Sequence, residues 1–215
     1  EKMRGAPGTS IKLTIVRPGR DKPFDVSMNR ERIELRPVKW ELKDGIGILN
    51  INQFSANVGA QVASALTAMD KAAGGKPVGY IVDLRSNPGG LLDQAIDVSD
   101  AFLERGEIVS ERGRAKDDIE RFYAKPGDLT GGRPIIVLVD AGSASAAEIV
   151  AGALQDHRRA VVMGERSFGK GSVQTVIQLD QNSALRLTTA RYYTPSGKSV
   201  QAGGIDPDIP VPQLS

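Results

Sequence analysis

Apolar residues recur along this chain with two periods, and the alternation between them outlines the elements. A period of two marks Ser10 to Arg17, where Ile11, Leu13 and Ile15 share one face, and predicts a strand. Glu1 to Gly5 reads as a helix end with Gly5 as its cap, Ala6-Pro7-Gly8-Thr9 as a turn, and a second short strand is predicted near Arg32 to Leu35, after a charged loop. From Val38 the pattern is denser. Val38 to Lys43 and Ile46 to Phe54 read as strands around the two-residue turn Asp44-Gly45. Val58, Val62, Leu66 and Met69 recur at helical spacing within Asn57 to Ala73, which Gly74-Gly75 ends. A strand over Gly79 to Leu84, a turn over Arg85 to Gly90 and a helix over Leu91 to Leu103 follow, then strands over Gly106 to Arg112 and Asp118 to Ala124. After the break at Thr130-Gly131-Gly132, the β-branched run Ile135 to Val139 leads through Asp140 and a small-residue turn into a helix starting at about Ser145. Ala160 to Met163 is strand-like, Ser172 to Leu179 and Ala184 to Tyr193 can pair across Asp180 to Ser183, and Thr194 to Asp208 is rich in turns. Strands alternating with helices give an α/β class with several parallel crossovers.

The first 36 residues hold too few apolar positions for a core of their own, so the chain divides at about residue 36 into a minor part and a main domain over 37–215. Charge adds little: 28 Lys and Arg against 26 Asp and Glu leave +2 without a long basic block, which indicates neither nucleic acid nor an anionic membrane as partner. With no cysteine and one histidine, disulfides and any ordinary zinc site are excluded, and no metal or cofactor is expected. No apolar run approaches the length of a membrane-spanning helix, and no signal peptide stands at residue 1.

The chemistry concentrates between Pro134 and Gln174. A strand, a tight turn and a helix in succession lift the turn residue clear of the sheet and aim unpaired helix N–H groups at it; Ser145 has that position. Ser145-Ala146-Ala147-Glu148 also fits a capping box, in which the serine only satisfies a backbone N–H. A nucleophilic serine needs a base. His157, the only histidine, lies twelve residues on along the same helix, about 18 Å away, and cannot serve. Lys170 can, as in a Ser-Lys dyad, since it sits in the Gly-rich turn Gly164 to Gly171 where Phe168 can shield the amine. Holding a lysine neutral at pH 7 costs about 4.6 kcal/mol unless burial lowers its pKa, so a dyad lysine has to be desolvated. Gln174, four residues further, shares a face with Lys170 if the strand starts early enough, and its amide could orient the amine. The backbone N–H of Ala146 is placed to hold a developing oxyanion. Gly164-x-x-x-x-Gly169-Lys170 also matches the start of a P-loop, but Gly171 and a strand follow where Ser or Thr and a helix are needed, so no nucleotide is expected.

The blocks GSASAAEIVAGALQDH and GERSFGKGSVQ together resemble the carboxyl-terminal-processing (tail-specific) proteases, serine peptidases with a Ser/Lys dyad. The resemblance implies Ser145 as nucleophile, Lys170 as general base and Gln174 as its assistant. It also implies a second oxyanion donor from Asp83-Leu84-Arg85-Ser86-Asn87-Pro88-Gly89-Gly90, either Gly89 or Gly90. Asp140 and Ala147 depart from the asparagine and serine common in that family; both flank the nucleophile and neither replaces a dyad member. The fold implied is a mixed-sheet core with helices like that of crotonase and Clp protease. RGAPGTSIKLTIVRPG resembles the second half of a PDZ domain, so residues 1–36 are expected to be the C-terminal part of a truncated PDZ domain. The substrates implied are proteins with unstructured, apolar C-terminal tails, in an extracytoplasmic setting such as a bacterial periplasm or envelope, with room for a homo-oligomer or an adaptor. A non-catalytic peptide-binding module on the same fold is the alternative.

Overall fold

The structure is a computed structural model that describes residues 3–31 and 36–212. The chain forms two compact units, residues 1–36 and 37–215. In the first, β1 (Ser10–Ile15) and β2 (Phe24–Asn29) pair antiparallel, with Ile15 opposite Phe24 and Ser10 opposite Asn29. Arg30 fastens the open end, its guanidinium donating to the Thr9 hydroxyl and to the Ser10 carbonyl. The stretch expected as loop thus carries β2, because Phe24, Val26 and Met28 alternate like the residues they face. The strand expected at Arg32 to Leu35 lies outside the described residues, as do Glu1 and Lys2 of the helix end, and Gly5 stands in no helix.

The second unit begins with β3 (Val38–Lys43) and β4 (Ile46–Ile51), antiparallel around Asp44 and Gly45. Both turn residues have positive φ (51° and 77°), the type I′ geometry that matches the twist of a hairpin. There follow α1 (Val58–Ala73), β5 (Gly79–Asp83), α2 (Leu92–Asp100), β6 (Gly106–Arg112), β7 (Ile119–Ala124), β8 (Ile135–Val139), α3 (Ala146–Asp156) and β9 (Val161–Gly164). The chain closes with β10 (Ser172–Gln178), β11 (Ala184–Tyr193) and the two-residue β12 (Ile209–Pro210), which the sequence pattern does not reveal. One six-stranded sheet has the order β12-β9-β8-β5-β4-β3, parallel except at β3-β4. The other, β10-β11-β6-β7, is antiparallel throughout.

The core lies where the parallel strands meet the helices. Leu49, Ile51, Val82, Val137 and Val162 on the strands and Val58, Val62, Leu66 and Met69 on α1 are fully or almost fully buried. At about 1.5–3 kcal/mol for each such side chain, this cluster supplies much of the force that sets the sheet. All nine residues from Ala146 to Leu154 are buried, so α3 has no solvent face over that span. Its alanines and Gly152 make this feasible, since a Cβ on Gly152 would come within 2.9 Å of Thr194. Among the described residues no helix is long and apolar enough to cross a membrane.

Candidate active site

The parallel strands β5 and β8 are neighbours, and each ends in a tight turn before a helix. The two turns are bolted to one another. Asp140, just past β8, accepts from the Ser86 N–H at 2.8 Å, the Gly142 N–H at 2.9 Å and the Ser86 hydroxyl at 3.0 Å. Burial alone would push its carboxyl up, but these donors and the Ser143 hydroxyl hold it below the ordinary carboxylate value. The Ser143 hydroxyl donates to the Leu84 carbonyl at 2.8 Å, and the Ala144 N–H to the Asn87 carbonyl at 2.9 Å.

This double turn presents Ser145 at the start of α3 with φ 55° and ψ −113°. A non-glycine residue there is strained, at an order of 1–3 kcal/mol, and persists only where its surroundings over-determine it. Gly89 supplies part of that constraint: a Cβ on it would lie 2.6 Å from the Ala144 oxygen and 2.7 Å from Ser145 Cβ. The Pro-Gly-Gly loop therefore lies directly against the serine. Asn87 anchors the loop, donating to the Ile51 carbonyl at 2.6 Å and accepting from the Gly89 N–H at 2.9 Å. Among the described residues, the N–H groups of Ala146 and Gly90 donate no hydrogen bond within the protein.

Glu148 joins the serine to the lysine. Ser145 and Glu148 stand in the capping-box arrangement, and Glu148 Oε2 accepts from the Ser145 N–H at 2.7 Å. The same oxygen accepts from the Lys170 N–H at 2.8 Å, and Oε1 accepts from the Ser167 hydroxyl at 2.6 Å and the Gly169 N–H at 2.7 Å. The carboxylate is fully buried and takes four donors. Because one oxygen holds both N–H groups, the backbone nitrogens of Ser145 and Lys170 lie no more than about 5.5 Å apart, the two bonds laid end to end. A lysine stem can span that separation.

The structure differs from the sequence reading at the lysine. Lys170 is exposed, its ammonium makes no hydrogen bond or ion pair among the described residues, and Phe168, expected to shield it, is 68% exposed. The reason lies in the backbone of the loop, which turns its polar groups inward: Gly169 and Lys170 donate to Glu148, and the Gly169 carbonyl accepts from the Ala202 N–H at 2.9 Å. The side chains of Phe168 and Lys170 are left facing water. Gln174 is exposed too, and makes no side-chain hydrogen bond among the described residues. The expected shared face does not form, because β10 starts at Ser172, beyond Lys170, so the two-residue period does not extend back to the lysine. His157 caps the far end of α3, its Nε2 2.6 Å from the Glu107 carbonyl.

Glu148 and Ser167 have no functional part in the sequence reading; Asp140 enters it only as a departure from the family pattern and Asn87 only as part of the segment implied to hold the second oxyanion donor. The signal for Glu148 is the S-x-x-E spacing, which discloses a helix cap and not the donors arriving from residues 167–170. Among the described residues no group of three or more His, Cys, Asp or Glu side chains is placed to hold a metal ion.

Residues 45–211 match the model of Peptidase family S41. The chain is 57% identical over 214 residues to a carboxy-terminal-processing protease of Bartonella bacilliformis, covering 99% of this chain and 49% of that protein. It is 38% identical to a carboxyl-terminal-processing protease of Synechocystis sp., covering 99% of this chain and 50% of the relative. The chain thus spans about half the length of these curated relatives. Among solved structures, a photosystem II D1 C-terminal processing protease superposes with a TM-score of 0.75 at 29% identity, over 97% of this chain and 57% of that one.

Proposed function

Since the chain belongs to peptidase family S41, we propose that it carries the catalytic core of a serine endopeptidase that cuts proteins near their C-termini through a Ser/Lys dyad, without ATP or metal. The observation that carries this reading is the shared Glu148 oxygen, which brings the backbone of Ser145 and that of Lys170 within reach of one another. In this mechanism a substrate tail covers the site and excludes water from Lys170. The lysine turns toward Ser145 and, once neutral, takes the hydroxyl proton as Oγ attacks the scissile carbonyl. The oxyanion is held by the Ala146 N–H and one N–H of Gly89-Gly90. Of the two glycines, Gly90 donates its N–H to nothing among the described residues, whereas that of Gly89 is engaged by Asn87. The lysinium then protonates the leaving amine, and water reverses the route to release the acyl group. Gln174 assists only if its exposed amide turns toward the lysine.

Apolar tails as substrates, an extracytoplasmic setting and a PDZ origin for residues 1–36 belong to the same proposal, and rest on the sequence resemblance. A second reading, a peptide binder without turnover, is favoured by the exposed side chain of Lys170. Cleavage of an unfolded protein with an apolar tail, followed from about pH 6 to 10, separates the two. Turnover lost in Ser145→Ala, Lys170→Ala and Lys170→Arg is expected, the last because guanidinium cannot deprotonate a hydroxyl. Turnover retained in any of them refutes the dyad, and none in the parent supports the binder.

A further inference from the structure

One face of the four-stranded sheet carries charge that the dyad does not use. Arg112 on β6 and Arg191 on β11 are direct partners in the ladder, a placement in which like charges destabilise a strand pair. With Arg114 they line a hollow of about 350 Å³ that also includes Thr188, Thr189 and Tyr193. The Arg112 guanidinium lies over the Tyr193 ring, 4.2 Å from its centre, which fixes the plane of its donors. Among the described residues none of the three arginines makes an ion pair. Glu111 and Glu120 oppose one another in the adjoining row and so point to the other face of the sheet. Asp118, whose carboxylate stands over Gly113, is the carboxylate bordering the hollow. Three guanidinium forks and the Thr188 hydroxyl around one concavity, where the Thr189 hydroxyl is engaged with that of Thr175 at 2.9 Å, form a donor-rich site whose natural counterpart is a carboxylate.

The hollow also lies close to Lys170 along the β10-β11 ladder. Arg191 pairs with Ser172, the Tyr192 N–H donates to the Gly171 carbonyl at 2.7 Å, and Lys170 is the next residue back. Along the strand and across one ladder spacing, that places Arg191 on the order of 10 Å from Lys170. We propose that this arginine hollow is an anchoring site for a carboxylate of the polypeptide substrate, either its terminal α-carboxylate or a nearby acidic side chain, and that it sets how far from that charge the chain is cut. The identity of the ligand as substrate rests on the peptidase reading; the binding itself does not.

The test is anisotropy titration of the full chain carrying Ser145→Ala with three labelled, unstructured peptides. One ends in a free α-carboxylate and has no acidic side chain, one is its carboxamide twin, and one is a carboxamide with internal glutamates. At least one carboxylate-bearing peptide is expected to bind about tenfold or more tightly than the neutral twin, and which one does identifies the source of the charge. Arg191→Gln and Arg112→Gln should each remove most of that advantage, with Arg191→Lys retaining part, while affinity for the neutral peptide stays put. Asp118→Asn should strengthen carboxylate binding. If Arg112→Gln unfolds through loss of its stack on Tyr193, the exposed Arg114→Gln and Arg191→Gln decide. Equal affinity for all three peptides overturns the proposal, as does unchanged carboxylate binding in folded Arg191→Gln, or an oligonucleotide bound as tightly as the best peptide. Cleavage by the unmodified chain is assayed alongside: lost turnover with intact carboxylate binding counts against the peptidase reading alone, and the converse against the hollow alone.

Discussion

Replacing Glu148 by glutamine separates charge and hydrogen bonding from volume at the junction between serine and lysine. In the parent, two oxygens receive four donors: the N–H groups of Ser145, Gly169 and Lys170 and the hydroxyl of Ser167. An amide keeps one acceptor oxygen and turns an NH2 group toward two of those donors. Two buried donors then lose their partner, at about 1–3 kcal/mol each, so the variant should lose on the order of 2–6 kcal/mol of stability. For a domain of this size that corresponds to a fall in melting temperature of roughly 5–20 °C. Within molecules that remain folded, the Ser145 and Lys170 backbones no longer share an anchor, and a displacement of about 1 Å can cost on the order of a hundredfold in turnover. The assay is paired: thermal melting, and kcat and KM for an unfolded protein substrate well below the melting temperature. The expected signature is a kcat lower by about a hundredfold with KM little changed, since in the proposed dyad the groups displaced react and do not merely bind. Native kcat in a folded Glu148→Gln chain would refute the reasoning, because the carboxylate would then be a helix cap and nothing more.

Other outcomes follow from the same geometry. Gly89→Ala should abolish turnover and lower stability, since its Cβ would lie 2.6 Å from the Ala144 oxygen at a φ of +94°; an active, stable variant would show that the loop does not bear on the serine. Asp140, whose carboxyl is held below the ordinary value, contributes stability that is complete above the unfolded-state pKa near 4 and is lost as the pH falls through the folded value. Asp140→Asn should therefore flatten the acid limb of the melting-temperature profile below about pH 4, and an unaltered limb would assign acid lability to other carboxylates.

Local signals made much of the fold legible. Ile135–Val139, Ala184–Tyr193 and the Asp44-Gly45 hairpin fall where alternation and turn chemistry put them, because each is decided by residues within a few positions. Phe24–Asn29 did not read as a strand, since its charged neighbours mask a pairing that only β1 completes. β12 is two residues long and exists through contact with β9, which no local pattern reports. At the site, the strand-turn-helix around Ser145 could be read from small residues and spacing. The exposure of Lys170 could not, because it depends on which way a glycine-rich loop turns its backbone, and that is decided by a carboxylate 22 residues earlier. Gln174 escaped because the inference needed a strand that reaches back to Lys170, and β10 begins only at Ser172.

The burial of α3 on every side has a consequence for how the two halves of the site can move. Ser145 opens a helix whose first nine residues are enclosed by core, so shifting it would demand that the packed interior give way with it. The lysine side chain stands in water, with only bond rotations between its present direction and the serine. The serine is thus the fixed stator and the lysine the rotor. Under the proposed dyad, switching between an idle and a working site is then a matter of side-chain torsions on the picosecond to nanosecond scale, with a bound tail acting as the brake that holds one setting.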